Sequence, residues 1–422
     1  MNDVHVVLVT IGGLVLLLGL FSSVLKARTF LTAPLISFLV GVTLGPSALG
    51  VLDVTRWGAS DVILEEVARL SLAIGLMAVA LRLPPRYVVQ QRAAALAVVL
   101  GLVMPAMWLA TALLLFLILG LPWPLALVVG AVVTPTDPIV ATSIVTGPMA
   151  EQRLAGRIRH LISAESGLND GLAYPLVVLS VLLLTESPAA ALSGWLGHTV
   201  LWQVGGGAAF GGIAGYAAGR MLEFSERRGL IEKTSFLAYT VALSLLVLGA
   251  AELIGTEGIL AVFVAGLTFD QAVGARERAE EEGVQEAVNQ FFTLPVFALL
   301  GLVLPWSGWA ALGWRAPALV VAVLLLRRLP AVLAIRPLVP GLHHWLDAVF
   351  VGWFGPLGVS ALFFAVHASR ATGREEVWIV STLLMTASIV AHGLTATPMS
   401  LLYAKGDEPP TRAGARARKR AR

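Results

Sequence analysis

Long apolar segments separated by short polar loops dominate this sequence. Hydrophobic residues make up 57% of its 422 residues and charged residues 13%, and the mean hydropathy is +0.85, far outside the range of soluble globular proteins. Breaks at Gly, Pro and charge clusters leave about thirteen segments long enough to cross a hydrocarbon layer of ~30 Å as helices. We therefore predict an all-α polytopic membrane protein. The predicted helices lie near residues 4–25, 30–50, 60–82, 92–119, 122–146, 157–184, 193–220, 233–254, 257–271, 286–304, 316–336, 343–368 and 376–403.

Positive charges are distributed unevenly between the two sides of this layout. If the N-terminus is external, the inward-facing loops and the tail hold 24 of the 29 Lys and Arg, the outward loops hold four, and Arg69 lies within the third helix. The positive-inside rule then predicts an external N-terminus and a cytoplasmic C-terminus. The first segment lacks a basic n-region and a cleavage site, so we interpret it as a retained span and not as a signal peptide.

The C-terminal segment 404–422 is hydrophilic and basic, in contrast to the transmembrane part at 1–403. We predict a disordered cytoplasmic tail that meets anionic lipid and does not bind nucleic acid. Cys is absent, which excludes disulfides and thiolate metal sites, and the seven His show no metal-ligand spacing within a helix. No cofactor is expected.

Two polar runs interrupt the apolar helices, TPTDP at 134–138 and ESGLNDG at 165–171. They place Asp137, Glu165 and Asp170 at membrane depth, where an acidic side chain costs about 2.5–3.5 kcal/mol or more. Membrane proteins that keep such acids generally use them on an ion or a proton. Transport is therefore the default hypothesis.

The first run also exposes backbone oxygens. Its prolines cannot donate hydrogen bonds, so they free the carbonyls of Ala131 and Thr134. Unwound carbonyls beside a carboxylate suit a hard monovalent cation. In the second run, helical spacing stacks Ser166 under Asp170, so that a hydroxyl and a carboxylate point the same way.

Broken helices recur at corresponding places in the two halves of the chain. TPTDP breaks helix five, and FGPLG at 354–358 breaks helix twelve about 220 residues later. Paired broken helices in inverted halves indicate a secondary transporter with a site at mid-membrane. The predicted division is repeat one at 4–184, a linker helix at 193–220 and repeat two at 233–403.

TDP, ESGLNDG and WFGPLG at 353–358 together resemble the NhaP-like sodium/proton antiporters of the cation:proton antiporter superfamily. The resemblance runs from the first helix to about residue 403. It implies an NhaA-like antiporter fold in which two broken helices cross and a six-helix core domain moves against a dimerisation domain. The Asn-Asp pair at 169–170 marks the electroneutral branch, because electrogenic relatives carry Asp-Asp there.

The same resemblance implies roles for individual residues. Asp170 would alternately hold cation and proton, and Asp137, Ser166 and the backbone around Thr136 would complete a sodium shell. Asn169 would orient the crossing broken helices. The supporting residues are Asn169, Glu165, Thr134, Arg327 and Arg328.

Each assignment has a structural alternative. Asp170 could be a buried, hydrogen-bonded and inert carboxylate. Asp137 could cap the second half of a broken helix. Ser166 could bond a backbone carbonyl one turn back. Glu65 and Arg69, spaced i and i+4 in helix three, are predicted to form an ion pair that allows both to be buried.

One position departs from the family pattern. Many relatives have Arg where this chain has Leu357, and that Arg is thought to pair with the helix-six Glu. Glu165 must then be protonated or meet another base. Arg327 or Arg328 is the nearest candidate in the sequence, and His367 is a further one.

These observations favour an electroneutral sodium/proton antiporter that works by alternating access and serves pH homeostasis. We expect a homodimer in a bacterial inner membrane and not an enzyme. A potassium/proton antiporter with the same site is the nearest alternative. A cation channel is disfavoured by the paired broken helices. An intramembrane hydrolase is disfavoured because the chain has no Gly-x-Ser-x-Gly, although distance in sequence does not exclude His367 as a base for Ser166.

Overall fold

The computed structural model is helical, with no strand among the residues it describes. Those residues are 2–20, 31–84, 87–88, 92–138, 140–230, 236–272, 291–340, 342 and 344–406. The main helices are α1 (Asn2–Leu20), α2 (Ala33–Leu44), α3 (Ser60–Arg82), α4 (Ala93–Leu119), α5 (Trp123–Val132), α6 (Gly156–Thr185), α7 (Pro188–Gly194, Trp195–Gly206 and Gly207–Arg227 in one run), α8 (Phe236–Ile254), α9 (Gly258–Ala272), α10 (Phe291–Leu302), α11 (Arg315–Leu338), α12 (Trp345–Trp353), α13 (Val359–Thr372) and α14 (Glu375–Gly406). Short helices at Thr142–Val145 and Gly147–Arg153 connect α5 to α6.

Each of the thirteen predicted segments contains helix within the described residues, and segment twelve consists of α12 and α13. In that part of the chain α4, α6, α11 and α14 are long and apolar enough to cross a membrane, and six shorter apolar helices accompany them. The prediction of an all-α, multi-pass membrane protein is confirmed. The predicted basic tail lies almost wholly outside the described residues, which end at 406.

The first break begins where α5 ends and spans the TPTDP run. The Thr134 N–H donates to the Ala131 carbonyl at 3.1 Å, so the sequence-based expectation that proline frees this carbonyl is wrong. The Val133 carbonyl, just past the end of α5, instead accepts a hydrogen bond from Arg327. A helix end buried in this way needs such a partner, since its last carbonyls have none within the helix.

The second break lies between α12 and α13 and crosses the first. Its Gly355-Pro356 pair cannot continue the helix, because proline has no N–H to donate. The Asp137 N–H donates to the Pro356 carbonyl at 2.8 Å, which joins the two unwound segments directly. The predicted crossing of two broken helices is therefore present. The boundaries of the two repeats stay a prediction.

Helix α6 passes the crossing and carries the second polar run at 165–171. Glycines on its other side allow α9 to approach closely: a Cβ at Gly167 would overlap the Phe263 ring, and one at Gly171 would overlap Leu260. The polar face of α6 thus packs against the break that follows α5, and the face that carries Gly167 and Gly171 packs against α9. Every fourth residue of α7 from 207 to 219 is also Gly, and this stripe packs on α9 within the same chain.

Two residues of the positive-inside count lie in the protein interior. The count places Arg327 and Arg328, which lie within predicted helix eleven, on the inward-facing side, but their relative exposures are 5% and 2%. They sit at an interruption within α11, between helical stretches that end at Leu326 and restart at Leu329. The charge asymmetry survives their removal, because the outward loops hold only four basic residues.

Candidate cation site

Asp170 is a buried carboxylate on α6. Its relative exposure is 1%, and neither of its oxygens has a partner among the described residues. The Ser360 hydroxyl, near the start of α13, lies beside this carboxylate, and it too makes no contact there that meets the geometry of a hydrogen bond. Buried polar groups in native proteins are nearly always paired, so an orphaned carboxylate and hydroxyl side by side need an explanation. The hydrogen bonds that a purely structural Asp170 would need are not found among the described residues.

Asp137 holds the start of α13. Its Oδ2 accepts the Val359 N–H at 2.6 Å, and its Oδ1 accepts the Val140 N–H at 3.3 Å. The alternative role as a helix cap is therefore present, but the helix capped at short distance belongs to the other break. Gly358 makes this approach possible, because a Cβ there would overlap the Asp137 carboxylate. Asp137 is also one of the carboxylates near Asp170.

Thr136 joins the first break to α6. Its hydroxyl lies 3.0 Å from the Ser166 hydroxyl, its N–H donates to Asn169 Oδ1 at 3.1 Å, and its Oγ1 accepts from Asn169 Nδ2 at 2.7 Å. Asn169 thus holds the α5 break on both its backbone and its side chain. Ser166 contacts another hydroxyl, which is not the backbone carbonyl one turn back. The Thr134 hydroxyl does not join this group and donates instead to the Gly130 carbonyl of α5 at 2.7 Å.

Glu165 forms a buried ion pair with Arg328. Two parallel bonds of 2.7 Å join Nη1 to Oε1 and Nη2 to Oε2, with side-chain exposures of 3% and 4%. Asn169 Nδ2 donates a further bond to Oε1 at 3.1 Å, and Arg328 Nε donates to the Val351 carbonyl at 3.0 Å. Every charge in this pair is therefore matched and hydrogen-bonded, as a buried ion pair requires.

Arg327 has a different role from its neighbour. It donates to the Val133 carbonyl of the first break and to the Gly355 carbonyl of the second. Its candidacy as the partner of Glu165 is not supported, because Arg328 fills that place. One guanidinium instead ties together the two segments that cross.

His367 is also not a partner of Glu165. Its Nδ1 lies 3.2 Å from Glu65 Oε1, and the same carboxylate accepts from Arg370. Arg69 approaches Glu65 at 3.4 Å, so the predicted pair is present within a larger cluster. Since His367 contacts Glu65 and Ser166 contacts Thr136, His367 is not placed to act as a base for Ser166.

Sequence reasoning missed two buried polar residues near Asp170. Ser360 follows the WFGPLG motif by two residues, and the matching of the two breaks could have indicated it. Glu257 directly precedes α9, and its carboxylate accepts the N–H groups of Ile259 and Leu260 in the first turn of that helix. Glu257 is followed by a run of small and apolar residues at 258–267 and belongs to no recognisable motif, so nothing in the sequence marked it. Among the described residues no cluster of three or more His, Cys, Asp and Glu could hold a metal ion.

Comparison with known proteins agrees with this geometry. A family model described as "Sodium/hydrogen exchanger, transmembrane" matches residues 12–402. The chain belongs to this family. Exchangers are transporters and not enzymes.

Two yeast proteins of similar sequence identity differ in how much of their own length the chain covers. The chain is 30% identical over 428 residues to a Na(+)/H(+) antiporter of Schizosaccharomyces pombe, covering 93% of this chain and 90% of that protein. It is 31% identical over 421 residues to Na(+)/H(+) antiporter 2 of Zygosaccharomyces rouxii, covering 91% of this chain and 52% of the relative. The chain thus spans about half the length of several curated relatives that it matches.

The fold is similar to that of the sodium proton antiporter MjNhaP1 from Methanocaldococcus jannaschii. The structure of that protein at pH 8 matches with a TM-score of 0.74 over 95% of this chain and 98% of the other, at 14% sequence identity. At this identity the match shows the fold alone. The predictions of the family and of the antiporter fold are both confirmed.

Proposed function

We propose that this chain exchanges sodium or lithium for protons by alternating access, with the Asp170 carboxylate holding the cation and the proton in turn. One observation carries the proposal: Asp170 is fully buried, and its carboxylate has no partner in the described protein. A buried carboxylate in that condition is stabilised by binding a positive charge. A cation and a proton each supply one.

Oxygen atoms near Asp170 suit a hard monovalent cation. Ser360 offers an unpartnered hydroxyl, Asp137 lies close by with a carboxylate, and Ser166 is one turn away on the same helix. The Ser166 hydroxyl is in turn held by Thr136 at the first break. We propose Asp170, Asp137, Ser166 and Thr136 as the sodium site, with Ser360 as an addition to it. Discontinuous helices serve transporters in this way.

A cation and a proton would compete for the Asp170 carboxylate, and this competition would couple their transport in opposite directions. A proton on Asp170 removes the charge that holds the cation, and a bound cation displaces the proton. Asn169 carries no charge, so the pair at 169–170 loses and gains only one. We therefore propose an electroneutral exchange of one cation for one proton, insensitive to the membrane potential.

The proposal is tested in proteoliposomes with an imposed pH gradient, adding sodium, lithium or potassium separately. Dissipation of the gradient by sodium or lithium supports it, and a response to potassium alone would make the protein a potassium/proton antiporter. Failure of all three cations would refute antiport. A linear, non-saturating cation dependence would indicate a channel.

Voltage dependence tests the electroneutral part separately. With the potential clamped at several values by potassium and valinomycin, the sodium-driven rate should not change. A substantial change would refute one-for-one exchange. Valinomycin is omitted if potassium is itself transported.

We also propose that the protein is a homodimer in a bacterial inner membrane, with the N-terminus outside and the C-terminus in the cytoplasm. The distribution of basic residues supports the orientation. Single Cys residues introduced into the Cys-free chain at either terminus, probed with an impermeant maleimide in intact cells, test it. Subunit counting in lipid nanodiscs tests the dimer.

A further inference from the structure

Helix α14 holds both ends of the second break through one polar face. Ser388, His392 and Thr395 lie at positions i, i+4 and i+7, so they share a side of the helix. The unwound Leu357 N–H donates to Ser388 Oγ at 2.8 Å, and His392 Nε2 lies 2.9 Å from the Trp353 carbonyl at the end of α12. Trp353 Nε1 donates to Thr395 Oγ1 at 3.0 Å.

The hydrogen bonds of Ser388 determine which nitrogen of His392 carries the ring proton. Ser388 Oγ accepts from Leu357, so its own hydrogen is available for His392 Nδ1, 3.0 Å away. The ring proton then sits on Nε2 and is donated to the Trp353 carbonyl. The Ser388 carbonyl also lies 2.8 Å from Nδ1 and would accept a second ring proton.

The charges around the ring argue against that second proton. His392, Ser388, Leu357, Arg327 and Arg328 line the same small cavity. Glu165 pairs with Arg328, and Arg327 has two carbonyl partners, so an imidazolium would face a guanidinium that no carboxylate contacts in the described structure. We assign the neutral ring, which donates from Nε2 and accepts at Nδ1.

We propose that His392 and Ser388 are positioning residues of the exchange reaction. They fix the unwound segment 354–358, whose Gly355 carbonyl binds Arg327 and whose Gly358 lies against Asp137. The next residues lead to the site, because the Val359 N–H donates to Asp137 and the Ser360 hydroxyl lies beside Asp170. This pair therefore stabilises the break at the position where the family pattern has Arg and this chain has Leu357. The inference rests on the proposed function.

Four variants test this role. His392→Leu and Ser388→Ala each remove one anchoring hydrogen bond, and we expect each to raise the half-saturating sodium concentration about fivefold, with a smaller change in maximal rate. His392→Gln keeps a donor that reaches the Trp353 carbonyl, so it should stay close to wild type. Ser381→Ala is the matched control, because Ser381 is buried on the same helix and its hydroxyl has no partner in the described structure.

The measurements are sodium-dependent exchange in proteoliposomes and deuterium uptake of the 353–359 peptide. Faster uptake in His392→Leu and Ser388→Ala, but not in Ser381→Ala, supports the anchoring role whether or not exchange is observed. Unchanged uptake, or an unchanged half-saturating concentration in an active protein, overturns it. Absence of exchange in the wild type would refute the proposed function, and peptide uptake would still decide whether the anchor exists. Loss of folded protein in His392→Leu would be checked against His392→Gln, which must restore it.

Discussion

Glu165 and Asp170 are two acids on one helix with opposite surroundings. Both are buried, at 3% and 1% exposure, and they are five residues apart on α6. Glu165 receives three hydrogen bonds from Arg328 and Asn169, whereas Asp170 receives none from the described residues. Burial alone therefore does not separate a structural acid from a functional one. The distinction depends on whether another helix supplies a basic partner, because an acid that already pairs with an arginine does not require a bound cation.

The largest effect is expected from Asp170→Asn. If the unpaired carboxylate is the exchanging group, its loss should reduce exchange to the background of protein-free liposomes. Thermal stability in detergent should be unchanged or higher, because no native hydrogen bond is lost and a buried charge is removed. Glu186→Gln removes an exposed acid just after the same helix and serves as the control. Exchange at the wild-type rate in Asp170→Asn would contradict the comparison.

Glu165 should behave in the opposite way. Glu165→Gln or Arg328→Gln leaves one buried charge unmatched, which typically costs about 3–5 kcal/mol of folding free energy. The double variant should lose less than the sum of the two single losses, since the two residues are in contact. Chemical unfolding in detergent micelles, together with exchange rates, gives the coupling. Additive losses would mean that the pair has no energetic role.

Gly358→Ala tests the third acid of the site, Asp137. The added Cβ would overlap the Asp137 carboxylate, so α13 and that acid must separate, at a cost of about 1–3 kcal/mol and with weaker exchange. Gly249→Ala in α8 is the control, because nothing lies near the position of its Cβ. An intact exchange rate in Gly358→Ala would show that the contact between Asp137 and α13 is dispensable.

Leu357→Arg restores the family pattern, and its effect should differ between the wild-type chain and the Arg328→Gln variant. In the wild type, the new guanidinium would enter a cavity already lined by Arg327 and Arg328, and exchange should fall. In Arg328→Gln it should partly restore folded yield and exchange, because it offers Glu165 another base. Folded yield and exchange measured in both backgrounds check this. An equal loss of folded yield and exchange in both backgrounds would show that an arginine at position 357 cannot take the place of Arg328.

The smallest effect is expected at the cluster around Glu65. Arg370 binds this acid, but its side chain is 49% exposed, and Arg69 and His367 contact the same carboxylate. Arg370→Gln should therefore cost no more than about 1 kcal/mol, well below Arg328→Gln. Unfolding free energies of the two variants, measured side by side, test the ranking. A loss at Arg370 as large as that at Arg328 would show that exposure does not limit this pair.

Much of the fold could be predicted because it follows from local properties. Apolar length fixed the helical segments, and proline fixed both breaks, since a residue without an N–H cannot continue a helix. The same local logic failed at the Ala131 carbonyl, which a tight turn satisfies. It also failed for Arg327 and Arg328, which were counted with the inward-facing charges although both are buried.

Pairing between distant residues lay beyond the sequence. It could name Arg327, Arg328 and His367 as partners for Glu165, but only the tertiary structure, in which the Arg328 side chain reaches Glu165, distinguishes them. Arg328 pairs with Glu165, whereas its neighbour Arg327 binds backbone carbonyls of the two breaks.

The sequence by itself determined that this chain spans a membrane, that two helices break, and that three acids lie at membrane depth, one of them at the first break. Composition and residue chemistry suffice for these conclusions, since they act within one segment. The tertiary structure decided which acid is matched and which is left open, and that Asp137 caps a helix more than 200 residues away. Hydrogen bonds and ion pairs depend on distances of a few ångströms, and only the packed helices set those distances.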